Sequence, residues 1–210
     1  MTLAEGRAHP RTMSWHRTAH RLDAINTFRF PALVRQRFAS EHDTLSQAGL
    51  DQIESATRQW FRLTARHPRA RPAMPSSAAH ALWRELSRQS TDYAAFTTRA
   101  FGRPFPPADD RPPAGLAETL KLAREDEGGG PATLPLLFRV DQQVAFPGGH
   151  RYLADCGGRG TCHDLPGALC LQHAGGTGRL IRGRNTYGPL PPGSSSPGGG
   201  CGGGCGGGGM

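Results

Sequence analysis

Between His150 and His173 the chain carries His150, Cys156, Cys162, His163, Cys170 and His173. Thiolate and imidazole nitrogen are the ligands zinc favours, and glycine-rich turns let closely spaced ligands converge on a tetrahedron. Cys170 and His173 show the two-residue gap of a usual half-site, whereas Cys156 and Cys162 lie six apart rather than three. The ligand set suggested here is Cys156, Cys162, Cys170 and His173, with zinc as the metal. The competing reading is ordinary thiols and surface histidines in a loop, because the paired spacing of zinc sites is incomplete.

Two further cysteines, Cys201 and Cys205, stand in the terminal run GGGCGGGCGGGGM. Polyglycine is among the poorest helix formers, so their four-residue offset fixes no geometry. They read as accessible thiols on a flexible tether, open to oxidation or soft-metal capture.

Arg58, Arg62 and Arg66 recur at intervals of four, with Arg69 and Arg71 beyond them. Guanidinium groups along one helix face could follow a phosphate backbone, and the net charge of +8 favours an anionic partner. The same arginine-heavy usage, with Lys121 the only lysine, is what GC-rich coding produces. A solvated helix face competes with the nucleic-acid reading, and no recognised nucleic-acid module is present. No set of nucleophile, base and orienting group can be assembled from spacing, so catalysis is not expected. GGTGRL at 175–180 lacks the P-loop lysine and hydroxyl.

The elements that must position these groups are helical. In LSQAGLDQIESATRQWFRLTARHP, Ser46 reads as an N-cap, with Leu45 and Leu50 placed to staple the first turn. Leu50, Ile53, Thr57, Trp60 and Leu63 or Thr64 then form one stripe that ends at Pro68, with Arg58, Arg62 and Arg66 opposite it, facing water. FRFPALVRQRFASEH predicts a short helix after Pro31 that buries Leu33, Val34 and Phe38. MPSSAAHALWRELSRQ predicts a cap at Ser76 or Ser77 and buried Ala79, Leu82, Trp83 and Leu86. TDYAAFTTRAFG predicts a cap at Thr91, inward Tyr93, Phe96, Ala100 and Phe101, and a left-handed Gly102. PPAGLAETLKLAREDEGGG predicts a helix started near Pro113, with Leu116, Leu120 and Ala123 inward and the glycines as terminator. LPLLFRVD is too short for periodicity to separate strand from helix. Trp60 and Trp83 read as core anchors.

The run HALWRELSRQSTDYAAFTTRAF, followed by Gly102, resembles the glycine-rich domain-containing protein-like family: a tryptophan-bearing helix, then a helix of the form Tyr-x-x-Phe, then an aromatic-glycine ending. Here those positions are Trp83, Tyr93, Phe96, Phe101 and Gly102. MPS before the first helix, LPLLFRVD after the domain and the Gly/Cys tail are similar to bacterial members of that family. Relatives often carry histidine and cysteine where this chain has Arg84, Thr97, Pro106 and Pro107. The resemblance therefore implies a helical fold and supplies neither a ligand set nor a catalytic residue.

The expected fold is all-α, a small irregular bundle of four or five short helices, followed by an irregular, partly disordered Gly/Pro/Cys-rich tail. Residues 1–23 read as a mobile basic arm, 24–146 as the helical domain, 147–188 as an irregular Gly-rich segment and 189–210 as a disordered tail. The first 25 residues contain no continuous apolar stretch, and no span approaches the ~20 apolar residues needed to cross a bilayer. A cytoplasmic compartment is expected, with the five cysteines as free thiols or metal ligands. The function expected is a noncatalytic interaction module with an unknown protein partner; zinc binding is the first alternative and weak nonspecific nucleic-acid binding the second.

Overall fold

A computed structural model describes residues 10–107, 115–130, 133–154 and 168–171. Seven helices occur among them: α1 (Pro10–Asn26), α2 (Ala32–Glu41), α3 (Gln47–Arg66), α4 (Ser77–Arg88), α5 (Ser90–Phe101), α6 (Leu116–Glu127) and α7 (Leu136–Gln143). Two three-residue strands follow, β1 (Arg151–Leu153) and β2 (Ala168–Cys170). They pair in parallel with Tyr152 opposite Leu169. The fold is all-α, and no helix among the described residues is long and apolar enough to cross a membrane.

α3 is the central element, packed by α1, α4, α6 and α7. Ser46 caps it as the sequence indicates, its Oγ accepting from the Gly49 N–H at 3.1 Å. Leu50, Ile53, Thr57, Trp60, Leu63 and Thr64 are all buried. Burial also reaches Glu54, Gln59 and Phe61, which the single stripe leaves out, because α3 is enclosed on several sides rather than laid on a surface. Ile53, Trp60, Trp83, Leu86, Phe96 and Leu120 join one apolar cluster, and their removal from water is the main favourable term in forming the bundle.

Several expectations are corrected. The arm read as mobile through Asp23 is α1 from Pro10 onward, and Ala24 and Ile25 enter the core. LPLLFRVD forms α7. Leu33 is 46% exposed, since α2 turns only Val34 and Phe38 inward. α5 starts at Ser90 after Gln89, with no side-chain cap, in place of a Thr91 cap. The segment after Pro147 is not wholly irregular, because Tyr152 and Leu171 are buried in the core cluster. The Gly/Cys tail lies outside the described residues.

Arginine and glutamate fasten α2, which has few apolar residues of its own. Arg35 reaches Glu54 on α3 at 3.2 Å, and Arg37 reaches Glu85 on α4 at 3.7 Å. Both acceptor side chains are about 5% exposed or less. Burial raises the Glu54 carboxyl above its ordinary range, against the lowering pull of Arg35 and Arg58.

The connection from α3 to α4 is extended, and its buried backbone groups need partners that helices supply internally. Four side chains provide them. Trp60 Nε1 donates to Pro72 O at 3.0 Å, Thr119 Oγ1 accepts from Ala73 N at 2.7 Å, and the Tyr152 hydroxyl donates to Pro75 O at 2.8 Å. Asp141 of α7 completes the set: it accepts from Ser76 Oγ at 2.5 Å, Ser77 N at 2.8 Å and Ala78 N at 3.1 Å. Ser76 Oγ in turn accepts from Ala79 N at 3.0 Å, which makes Ser76 the cap of α4.

Asp141 Oδ2 also accepts from His150 N at 2.9 Å, so one carboxylate joins α4, α7 and the approach to β1. Gly149 permits the fit, since a Cβ there would stand 2.8 Å from Asp141 Cβ. Asp141→Ala orphans four donors at once. We expect urea unfolding to show a loss of about 3 kcal/mol or more, far beyond the ~0.5 kcal/mol of an ordinary surface change.

Candidate binding cleft

Of the ligand set Cys156, Cys162, Cys170 and His173, the described residues include Cys170. Cys156, Cys162 and His173 lie outside the described residues. Cys170 is a free thiol, buried at 8% exposure in β2, in register with Leu153. Among the described residues no cluster of three potential metal ligands occurs.

On the arginine face of α3, expected to meet water, Arg66 is exposed while Arg58 and Arg62 are half-buried. Arg58 donates to Phe28 O at 3.1 Å and to Glu54 Oε2 at 3.0 Å, and lies over the Phe30 ring at 5.1 Å. Arg62 and Arg66 both pair with Asp126 of α6, whose side chain is 3% exposed. The three cations thus bind α3 to its neighbours. The same end of α6 serves α7: Glu127 Oε1 accepts from Gln59 Nε2 and Leu136 N, and Gln59 Oε1 accepts from Leu137 N. These contacts replace a side-chain cap that Pro135 cannot offer.

A cleft of about 420 Å³ lies between the end of α3, the 68–72 turn and the 101–107 segment. Its lining includes Trp60, Trp83, Phe101 and Phe105. The rings form a chain of contacts: Trp60 to Trp83 at 4.4 Å between centroids, Trp60 to Phe105 at 5.9 Å and Phe101 to Phe105 at 4.6 Å. Trp60, Trp83 and Phe101 are buried, as core anchors should be, while Phe105 is half-buried.

Both walls are held by the rings themselves. Trp60 Nε1 fixes Pro72 O on one side. On the other, Trp83 Nε1 donates to the Tyr93 hydroxyl at 3.0 Å, which donates to Pro106 O at 2.6 Å. Burial pushes the Tyr93 phenol up to about 12, partly offset by the Trp83 N–H donor. The core motif Trp83, Tyr93, Phe96 and Phe101 therefore supports this cleft as well as the interior; Phe96 packs behind it, 5.0 Å from the Phe61 ring.

Arg21, Arg71 and Arg103 also line the cleft. They come from α1, the 68–72 turn and the 102–107 segment, and no carboxylate among the described residues pairs with them. Arg71 has φ +47°, a region unusual for a residue with a side chain, immediately before Pro72. Gly102 has φ +72°, and a Cβ there would meet Arg21 Nη2 at 2.8 Å. Glycine thus both ends α5 and leaves room for that guanidinium.

Sequence reading placed Trp60, Trp83 and Phe101 correctly but missed Arg103 and Phe105, and left Arg21 in a mobile arm. The available signal was GRPFPP, in which prolines stiffen an aromatic residue outside any helix.

Residues 20–171 match the model of a protein family described as UCP032817-like. No curated protein and no solved structure matches the chain.

Tyr93→Phe leaves the Trp83 N–H and the Pro106 carbonyl without the hydroxyl, and should cost about 1–3 kcal/mol in urea unfolding at neutral pH. The folded phenol titrates at about 12 against an ordinary 10.0, so its contribution is intact below pH 10. It should be lost as pH climbs toward about 12, narrowing the gap between wild type and variant.

Proposed function

This chain belongs to the UCP032817-like family, and we propose that it is a noncatalytic interaction module whose binding surface is the cleft beside Trp60 and Trp83. One observation carries the reading: a preformed concavity with an aromatic floor, proline-stiffened walls and three guanidinium groups without carboxylate partners among the described residues. Tryptophan and arginine are the side chains that most often dominate binding energy at protein interfaces, and a wall already in place costs little ordering on association. The partner is a protein, and the cytoplasm is the compartment that goes with this reading.

The likeness of Trp83, Tyr93, Phe96, Phe101 and Gly102 to the glycine-rich domain-containing protein-like pattern belongs to the same proposal. In that pattern the aromatic residues would be kept for the cleft as much as for the core.

Phe105→Ala removes the half-buried ring of the floor, which lies outside every helix. In pulldown from the native host, proteins retained by the wild-type chain should be lost from this variant, with helical circular dichroism preserved. Equal retention by both chains would sink the reading.

A further inference from the structure

Resting on the cleft as the binding surface, we propose that its partner presents an acidic peptide segment carrying one large apolar side chain, which seats against Phe105 while flanking carboxylates meet Arg21, Arg71 and Arg103. Charge decides the first half. Among the described residues, guanidiniums on α2 and α3 are matched by carboxylates, Arg35 and Arg58 by Glu54 and Arg62 and Arg66 by Asp126. The three on the cleft come from three separate stretches of chain. A ligand with a single anionic group could satisfy one of them, whereas a run of aspartate or glutamate offers several carboxylates to a distributed set. Arginine holds carboxylate through two parallel hydrogen bonds, so each such contact is also directional.

The apolar half follows from what the floor exposes. Trp60, Trp83 and Phe101 are 5%, 7% and 8% exposed, so their ring faces are covered, and only Phe105 shows an appreciable surface. Stacking of successive nucleic-acid bases needs open ring faces. A concavity of about 420 Å³ edged by rings instead suits one inserted side chain. The backbone that carries Arg71 is fixed beside the cleft by the Trp60 bond to the neighbouring Pro72 O.

The test pans the full chain against a random dodecapeptide phage library, in parallel with the R21Q/R71Q/R103Q variant. Arg71 and Arg103 are exposed and Arg21 is half-buried, and circular dichroism and the urea midpoint verify the variant's fold. Wild type should enrich a consensus of one aromatic or large aliphatic residue flanked by aspartate or glutamate. A synthetic peptide of that consensus should shift the indole N–H resonances of Trp60 and Trp83. The triple variant should bind it at least about tenfold more weakly, and salt should weaken wild-type binding.

A neutral or basic consensus that still shifts those indoles would overturn the acidic class while leaving the cleft as the binding surface. A consensus whose peptide perturbs only residues remote from the cleft, or no enrichment at all, would overturn both readings. Undiminished binding by the triple variant overturns the charge argument. Tighter binding of a dodecameric oligouridylate than of the peptide, with the same indole shifts, would replace a peptide by single-stranded nucleic acid.

Discussion

The molecule depends on a buried carboxylate at the start of a helix. Asp141 accepts from one hydroxyl and three backbone N–H groups contributed by Ser76, Ser77, Ala78 and His150. A negative charge there also meets the positive end of the α4 dipole, which makes it more favourable than an anion elsewhere in an apolar interior. Such a group would be costly if any donor failed to arrive, so its satisfaction requires α4, α7 and the approach to β1 to form together. Ser76 answers in both directions, donating to Asp141 while accepting from Ala79.

The cleft inherits its shape from the same fastening. The 72–77 connection is held at Pro72, Ala73 and Pro75 by Trp60, Thr119 and Tyr152, so the wall that carries Arg71 is tied to α3, α6 and β1. The opposite wall hangs on the Trp83–Tyr93–Pro106 chain. Both tryptophans serve twice here: their rings fill the core, while the Trp60 N–H fixes the Pro72 carbonyl and the Trp83 N–H holds the Tyr93 hydroxyl that reaches Pro106 O. This is why a concavity persists beside a core that otherwise closes well.

Local signals were legible where the physics is local. Ser46 and Ser76 cap the helices their positions indicate, Gly102 takes the left-handed turn, and the α3 stripe is buried residue for residue. Long-range pairing was not legible. Nothing near Arg62 or Arg66 in sequence announces Asp126, sixty residues or more away, and the periodic rule therefore left out their pairing, although Arg66 is exposed as the rule indicates. Asp141 lay inside a run too short to classify, and its donors lie 63 to 65 residues upstream as well as nine downstream. Tyr152 was hidden by its glycine-rich surroundings, although its contact to Pro75 draws β1 into the core. For the cleft, the tryptophans were visible as anchors, but its mouth is assembled from three stretches that only tertiary packing brings together.

Native-state hydrogen exchange at the amides of Ala73, Ser77, Ala78 and His150 tests most directly whether side chains from distant elements lock the nonhelical connection. If they do, these four amides open only with the global unfolding of the bundle, in step with central α3 amides such as that of Trp60. Exchange at the rate of an exposed loop, with α3 still protected, would contradict it.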